Sequence, residues 1–148
     1  MTLRAFQLED FRRATFRPRV MTGVQEFGEE LFERCLQVMK QSGPSFTLEV
    51  SEGIVFVGGV IILWPGRGQT WLLTTELVHT KPLLFHKSVA RILDLVVGDY
   101  RLHRLEAAVA ADWAEANKWI KRLGFTFEGL ARKYTPGGRD AKLYARIH

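Results

Sequence analysis

A mixed α/β (α+β) fold, with a mostly antiparallel central sheet, one parallel crossover and helices on both faces, is predicted by three observations. Three strand-like runs between residues 45 and 78 are joined by tight turns, which makes them antiparallel neighbours. A helical stripe then separates that meander from a short apolar run at 104–110, the pattern of a strand–helix–strand crossover that should be parallel and right-handed. Finally, the stretch from Asp112 to Ile147 reads as helix, stop, strand, turn, strand, and alternating helix and strand periods imply a layered sheet-and-helix core.

Taken in order, Thr2 to Phe6 has the makings of a short first strand. Arg12, Arg13, Arg17 and Arg19 crowd the segment around Pro18, which reads as a solvated loop, with a phosphate-contacting arm as the alternative. Only Phe11 and Phe16 lie nearby, so the aromatic ladder of a nucleic-acid surface is missing. Val24, Phe27, Leu31, Cys35 and Val38 form one helical stripe, predicting a helix over 24–40 that ends at Gly43-Pro44. Phe46, Leu48 and Val50 alternate as a strand, and Ser51-Glu52-Gly53 turns the chain. Residues 54–64 are nearly all apolar, the composition of a strand covered on both faces. The third strand is expected over 70–78, after the turn at Pro65-Gly66-Arg67-Gly68. Pro82 in a first turn and the stripe Phe85, Val89, Ile92, Leu93, Val96 predict a helix halted by Gly98-Asp99. In the last third, Asp112 and Glu115 are spaced as a capping box. Gly124 is the left-handed stop. Ala141, Leu143, Ala145 and Ile147 mark one face of a final strand.

Bulk properties bound the function. The 148 residues suit one domain spanning 1–148. A single cysteine, Cys35, excludes an internal disulfide or thiolate cluster and favours a reducing, cytoplasmic setting. The longest apolar run is far shorter than the roughly 20 residues of a membrane helix. Arginines interrupt the N-terminus where a signal peptide would need an apolar core. The net charge of +5 suits an anionic ligand as well as plain solubility. The four histidines and one cysteine show no metal-ligand spacing, so no metal site is expected.

Arg122-Leu123-Gly124-Phe125, Phe127-Glu128-Gly129, Arg132, Asp140 and Tyr144-Ala145-Arg146-Ile147, in this order of elements, resemble the GNAT superfamily of acyl-CoA-dependent N-acyltransferases. Within it, the Trp71-to-Lys87 region looks like the short GNAT-like proteins of bacteriophages and prophages. The resemblance implies acetyl-CoA as donor and a primary amine as acceptor. Two departures qualify it. The family's pyrophosphate loop, Q/R-x-x-G-x-G/A, is replaced by Lys81-Pro82-Leu83-Leu84-Phe85-His86-Lys87-Ser88, without glycine, and Ile120 stands where many members carry the tyrosine that protonates the leaving thiolate. The alternative implied is therefore a catalytically silent protein that meets phage structural or host proteins.

Candidate residues follow from this frame. Glu76, near the end of the third strand, is the first general-base candidate, and Asp112, beside the same cleft, is the second. Backbone groups of Leu77, Val78 and His79 are expected to pair with the pantetheine amides as an added strand would. His86, Lys87 and Ser88 offer donors near the pyrophosphate, and Asn117 offers an amide to the pantetheine or the acceptor.

Overall fold

The computed structural model describes all residues from Met1 to His148. Seven strands form one sheet in the order β1-β2-β3-β4-β5-β7-β6. They are β1 (Thr2–Ala5), β2 (Ser45–Val50), β3 (Gly53–Trp64), β4 (Arg67–Thr74), β5 (Arg104–Ala110), β6 (Thr126–Ala131) and β7 (Ala141–Ile147). Every pairing is antiparallel except β4 with β5, whose connection contains α4 (Leu77–Thr80) and α5 (Pro82–Tyr100). The remaining helices are α1 (Leu8–Arg13), α2 (Pro18–Phe27), α3 (Glu29–Gln41) and α6 (Ala114–Arg122).

The sheet divides the core in two. On one face, Phe85, Val89, Ile92, Leu93 and Val96 of α5 pack with Ile120 and Leu123 against Val55, Phe56, Val60 and Leu105. On the other, Phe11, Phe16, Val20, Val24 and Leu36 cover Ile54 and Val57. The central strand β3 thus feeds both cores, which is why its sequence is almost continuously apolar. Gly124 adopts φ +93° behind α6, and Phe125 folds back into the core as the stop signal requires.

Four sequence expectations are corrected. The Arg-rich segment is a loop only in part: Arg12 and Arg13 close α1 and Arg19 lies in the first turn of α2, behind Pro18, while Arg17 stays in the short connection between them. The helix expected over 24–40 is two helices broken at Gly28 (φ 83°), and Leu31 and Val38 of its stripe are exposed while Leu36 is buried. The third strand stops at Thr74 rather than 78, because the Thr75 hydroxyl bonds Ile54 O (2.7 Å) and Val55 O (3.1 Å) and caps the ladder. The crossover helix runs past Gly98 and ends at Arg101 (φ 52°).

Asp10 shows why the N-terminal arginines are ordered. It is buried, and burial alone would favour its neutral form. Arg4 donates to both carboxylate oxygens (2.7 and 2.8 Å), and the Gln7 amide and Thr47 hydroxyl add bonds of 2.9 Å each. These donors outweigh desolvation and hold Asp10 far below the usual carboxylate range.

Candidate active site

The site begins where the sheet comes apart. β4 and β5 pair over only three residues, Arg67–Gln69 against Arg104–Glu106. Thr70 then turns its side chain to Glu106 O (2.9 Å), and the strands diverge. Thr75 donates to Val55, so in the alternating antiparallel ladder the odd-numbered residues of β4 bond β3. The even-numbered ones face the gap. Thr74 O is taken by the Arg17 amide (3.0 Å), which leaves Leu72 as the residue presenting backbone N–H and C=O to the opening.

The gap opens into a cavity of about 900 Å³, mostly apolar, bounded by β4, β5, the start of α5, α6, the α1–α2 connection and the β6–β7 loop. Phe85 lines its wall rather than filling it. Its ring stacks on Trp119 (4.7 Å, 19°), and Trp119 Nε1 donates to His86 Nδ1 (3.1 Å), tying the head of α5 to α6.

A polar cluster sits at the other end. The guanidinium carbons of Arg17 and Arg19 lie 5.2 and 5.3 Å from the centroid of the Trp113 ring. Arg17 bonds Glu115 (3.0 Å) and approaches Glu76 (3.9 Å). His79 lies 3.5 Å from Glu76 and 3.9 Å from Glu115. Arg19 bonds Asp112 (2.7 Å) and holds that carboxyl below its ordinary value. The β6–β7 loop is fixed by Glu26, which accepts from the Gly137 amide (2.8 Å) and from Arg139.

The expected residues fall into three groups. His79 and His86 line the cavity, while Glu76 stands at its edge, exposed, at the head of α4. Leu77, Val78 and His79 are helical, a correction to the added-strand expectation. Their amides are already spent on Thr75 Oγ1, Thr75 O and Glu76 O, so the open strand edge belongs to Leu72 instead. Asp112 does not cap α6; Trp113 occupies that position, and Asp112 is drawn off to Arg19.

Asn117 is buried and internally engaged. It donates to Ala110 O (2.9 Å) and Trp113 O (2.8 Å) and accepts from the Tyr144 hydroxyl (2.6 Å), locking α6 to β5 and β7. Lys87 and Ser88 lie on the second turn of α5, outside the cavity lining. At the head of α5, Pro82 has no N–H, Leu83 and Leu84 offer two free amides, and Lys81 is paired with Glu52 (3.0 Å). Arg17, Leu72, Trp113 and Glu115 were not among the expected site residues. The arginines around Pro18 were visible in the sequence, but nothing local says that they face a cleft.

No group of three or more His, Cys, Asp or Glu is placed to hold a metal, and no helix is long and apolar enough to cross a membrane.

A seven-stranded, mostly antiparallel sheet split at its single parallel pair is the fold of the GNAT-family acetyltransferases. An acetyltransferase of that family from Bacillus anthracis superposes with a TM-score of 0.74, at 17% identity over 98% of this chain and 93% of the other. A single-substitution variant of the spermidine N-acetyltransferase SpeG from Vibrio cholerae gives 0.70, at 17% identity over 99% and 95%. A chimera of that enzyme with hSSAT gives 0.68, at 18% identity over 99% and 96%. No protein-family model and no curated protein sequence matches.

Proposed function

We propose that the protein is an N-acetyltransferase that moves an acetyl group from acetyl-CoA to a primary amine. The observation that carries this reading is the three-residue β4–β5 ladder with the open Leu72 backbone beyond it, leading into the cavity. A pantetheine arm has the length and the alternating amide groups to lie in such a gap as a substitute strand. The far end fits less closely. His86, Lys118 and Arg122 line the cavity near α5 and α6 and suit phosphate oxygens, but the head of α5 has exposed Pro82 and Leu83 where a glycine loop would let phosphates approach.

In the reaction, the amine nitrogen attacks the thioester carbonyl carbon. A C–N bond forms, the C–S bond breaks, and the sulfur leaves as thiolate. The Leu72 N–H is placed to bind the developing oxyanion. Of the two protons the acceptor ammonium loses, one goes to His79, with Glu76 and Glu115 beside its two ring nitrogens, and the other returns to the thiolate. With Ile120 in place of the tyrosine, water supplies that last transfer. Asp112, ion-paired with Arg19, is too weak a base for the first.

Calorimetric titration with acetyl-CoA tests the reading. Saturable binding is expected, and none at high micromolar concentration would refute it. His79→Gln and Glu76→Gln should then lower kcat by about a hundredfold and tenfold against an amine panel. Unchanged turnover would remove them from the proton path. The alternative, a catalytically silent phage or prophage protein, draws on the missing glycines and tyrosine, and the structures compared give it no support.

A further inference from the structure

The acceptor end of the cavity is rich in hydrogen-bond donors. Of the charged side chains in the lining, Arg17, Arg19, Lys118, Arg122 and Arg139 are cationic, and Glu115 alone is anionic. Lys118 and Arg122 lie on α6 at the donor end. The three others converge on the far side, Arg17 from the α1–α2 connection, Arg19 from the first turn of α2 and Arg139 from the β6–β7 loop: Arg17 and Arg19 both lie against the Trp113 ring, and Asp112, bonded to Arg19, also lies in the field of Arg139.

Each of these arginines has a carboxylate partner, but each is held through one hydrogen-bonded nitrogen. Arg17 uses Nη2 on Glu115, Arg19 uses Nη2 on Asp112, and Arg139 uses Nε on Glu26. A guanidinium carries five N–H donors, so most of the fork on each remains open. The carboxylates and the indole fix where the forks point without using them up.

We infer that the acceptor is a small primary amine that also carries a carboxylate, bound through Arg17, Arg19 and Arg139 beside Trp113. This rests on the transferase reading above and goes beyond it by assigning a substrate class. The carboxylate turns the amine towards His79 and the Leu72 edge. Because Glu115, Glu76, Asp112 and Glu26 already balance the three guanidiniums, the selection against a di- or polyamine comes from the open N–H donors, which a second ammonium cannot satisfy, and not from net charge.

The test uses the full chain, acetyl-CoA and release of free thiol. Glutamate, β-alanine and phenylalanine are each assayed beside the matching carboxamide, with putrescine as the dication. At least one acid is expected to exceed its amide about tenfold in kcat/KM, because the amide leaves charged donors unpaired. Arg17→Gln should raise KM for that acid roughly tenfold to a hundredfold, narrow the acid-over-amide preference to about twofold, and leave the acetyl-CoA Kd unchanged. If Arg17→Gln fails to fold, Arg139→Gln, on the loop, should shift the preference the same way. Equal or better turnover of amides or putrescine, with acetyl-CoA binding intact, would overturn the acceptor class and leave the transferase standing. Loss of acetyl-CoA binding itself would overturn both. If no amine turns over, ligand-observed NMR decides: binding that does not prefer the acids over their amides overturns the inference.

Discussion

Replacing Asn117 with Ala removes three hydrogen bonds at one buried position, with unequal consequences. The two carbonyls that lose the Asn117 side-chain donor keep a backbone one each, since Ala110 O also accepts from the Trp113 backbone N–H (3.1 Å) and Trp113 O from the Asn117 backbone N–H (3.0 Å). Each loss there is worth about 0.5–1.5 kcal/mol. The Tyr144 hydroxyl has no such reserve. Its ring is 2% exposed, and Asn117 Oδ1 is its one partner. Orphaning it costs about 1–3 kcal/mol, for a total of roughly 2–6 kcal/mol. In a chain of this size that lowers Tm by roughly 5–20 °C. The decisive assay is a double-mutant cycle with Tyr144→Phe, by urea and thermal unfolding. Once Asn117 is gone, removing the hydroxyl should cost almost nothing, so the double variant should be less destabilised than the sum of the singles by about 1–3 kcal/mol. Costs that add to within about 0.5 kcal/mol would show that the two side chains do not interact, and the locking role of Asn117 would fall.

Other outcomes follow from the same structure. Asp10→Asn should cost about 3 kcal/mol at neutral pH. Because the folded-state Asp10 is depressed, its contribution is full above the ordinary carboxylate value and is lost as pH falls towards the folded one, so acid titration of stability should be shallower in the variant than in the parent. Equal slopes would exclude Asp10 as an acid-sensitive anchor. Gly58→Ala would put a methyl 2.7 Å from the backbone oxygen of Trp71, so β4 must shift. A loss of about 1–3 kcal/mol and weaker acetyl-CoA binding are expected, and an unchanged Tm would show slack that the packing denies. Trp119→Ala removes the stack on Phe85 and the tie to His86, and should cost roughly 3 kcal/mol in denaturant unfolding.

Elements whose signals are local were legible. Pro82 and its stripe located α5, Gly124 stopped α6 within a residue, and the alternation from Ala141 gave β7. What misled was continuity of pattern. Thr74-Thr75-Glu76 lies between Leu72-Leu73 and Leu77-Val78, and β-branched threonines suit a strand, so nothing in the local pattern marks the end of β4. A threonine hydroxyl bonding a neighbouring strand does that, and such a bond is invisible in one dimension. Likewise Val24 to Val38 keeps helical spacing across Gly28, where the backbone turns to positive φ. The capping-box spacing at Asp112 was outcompeted by Arg19, 93 residues away. The site was harder still, because Arg17, Trp113 and Leu72 acquire meaning only once the sheet has opened between them.

The brevity of the β4–β5 ladder has a mechanical consequence. Three rungs join a leaf of four strands to a leaf of three, and Glu106, on the rung next to the opening, reaches back to Arg67 and Arg104 and rivets the seam. One rung more or fewer would move the apex by about 3.3 Å, close to the spacing of successive residues along a strand. Insertions or bulges at Gln69 and Glu106 are therefore where evolution or design can reset the depth of the crevice without touching a single side chain inside it.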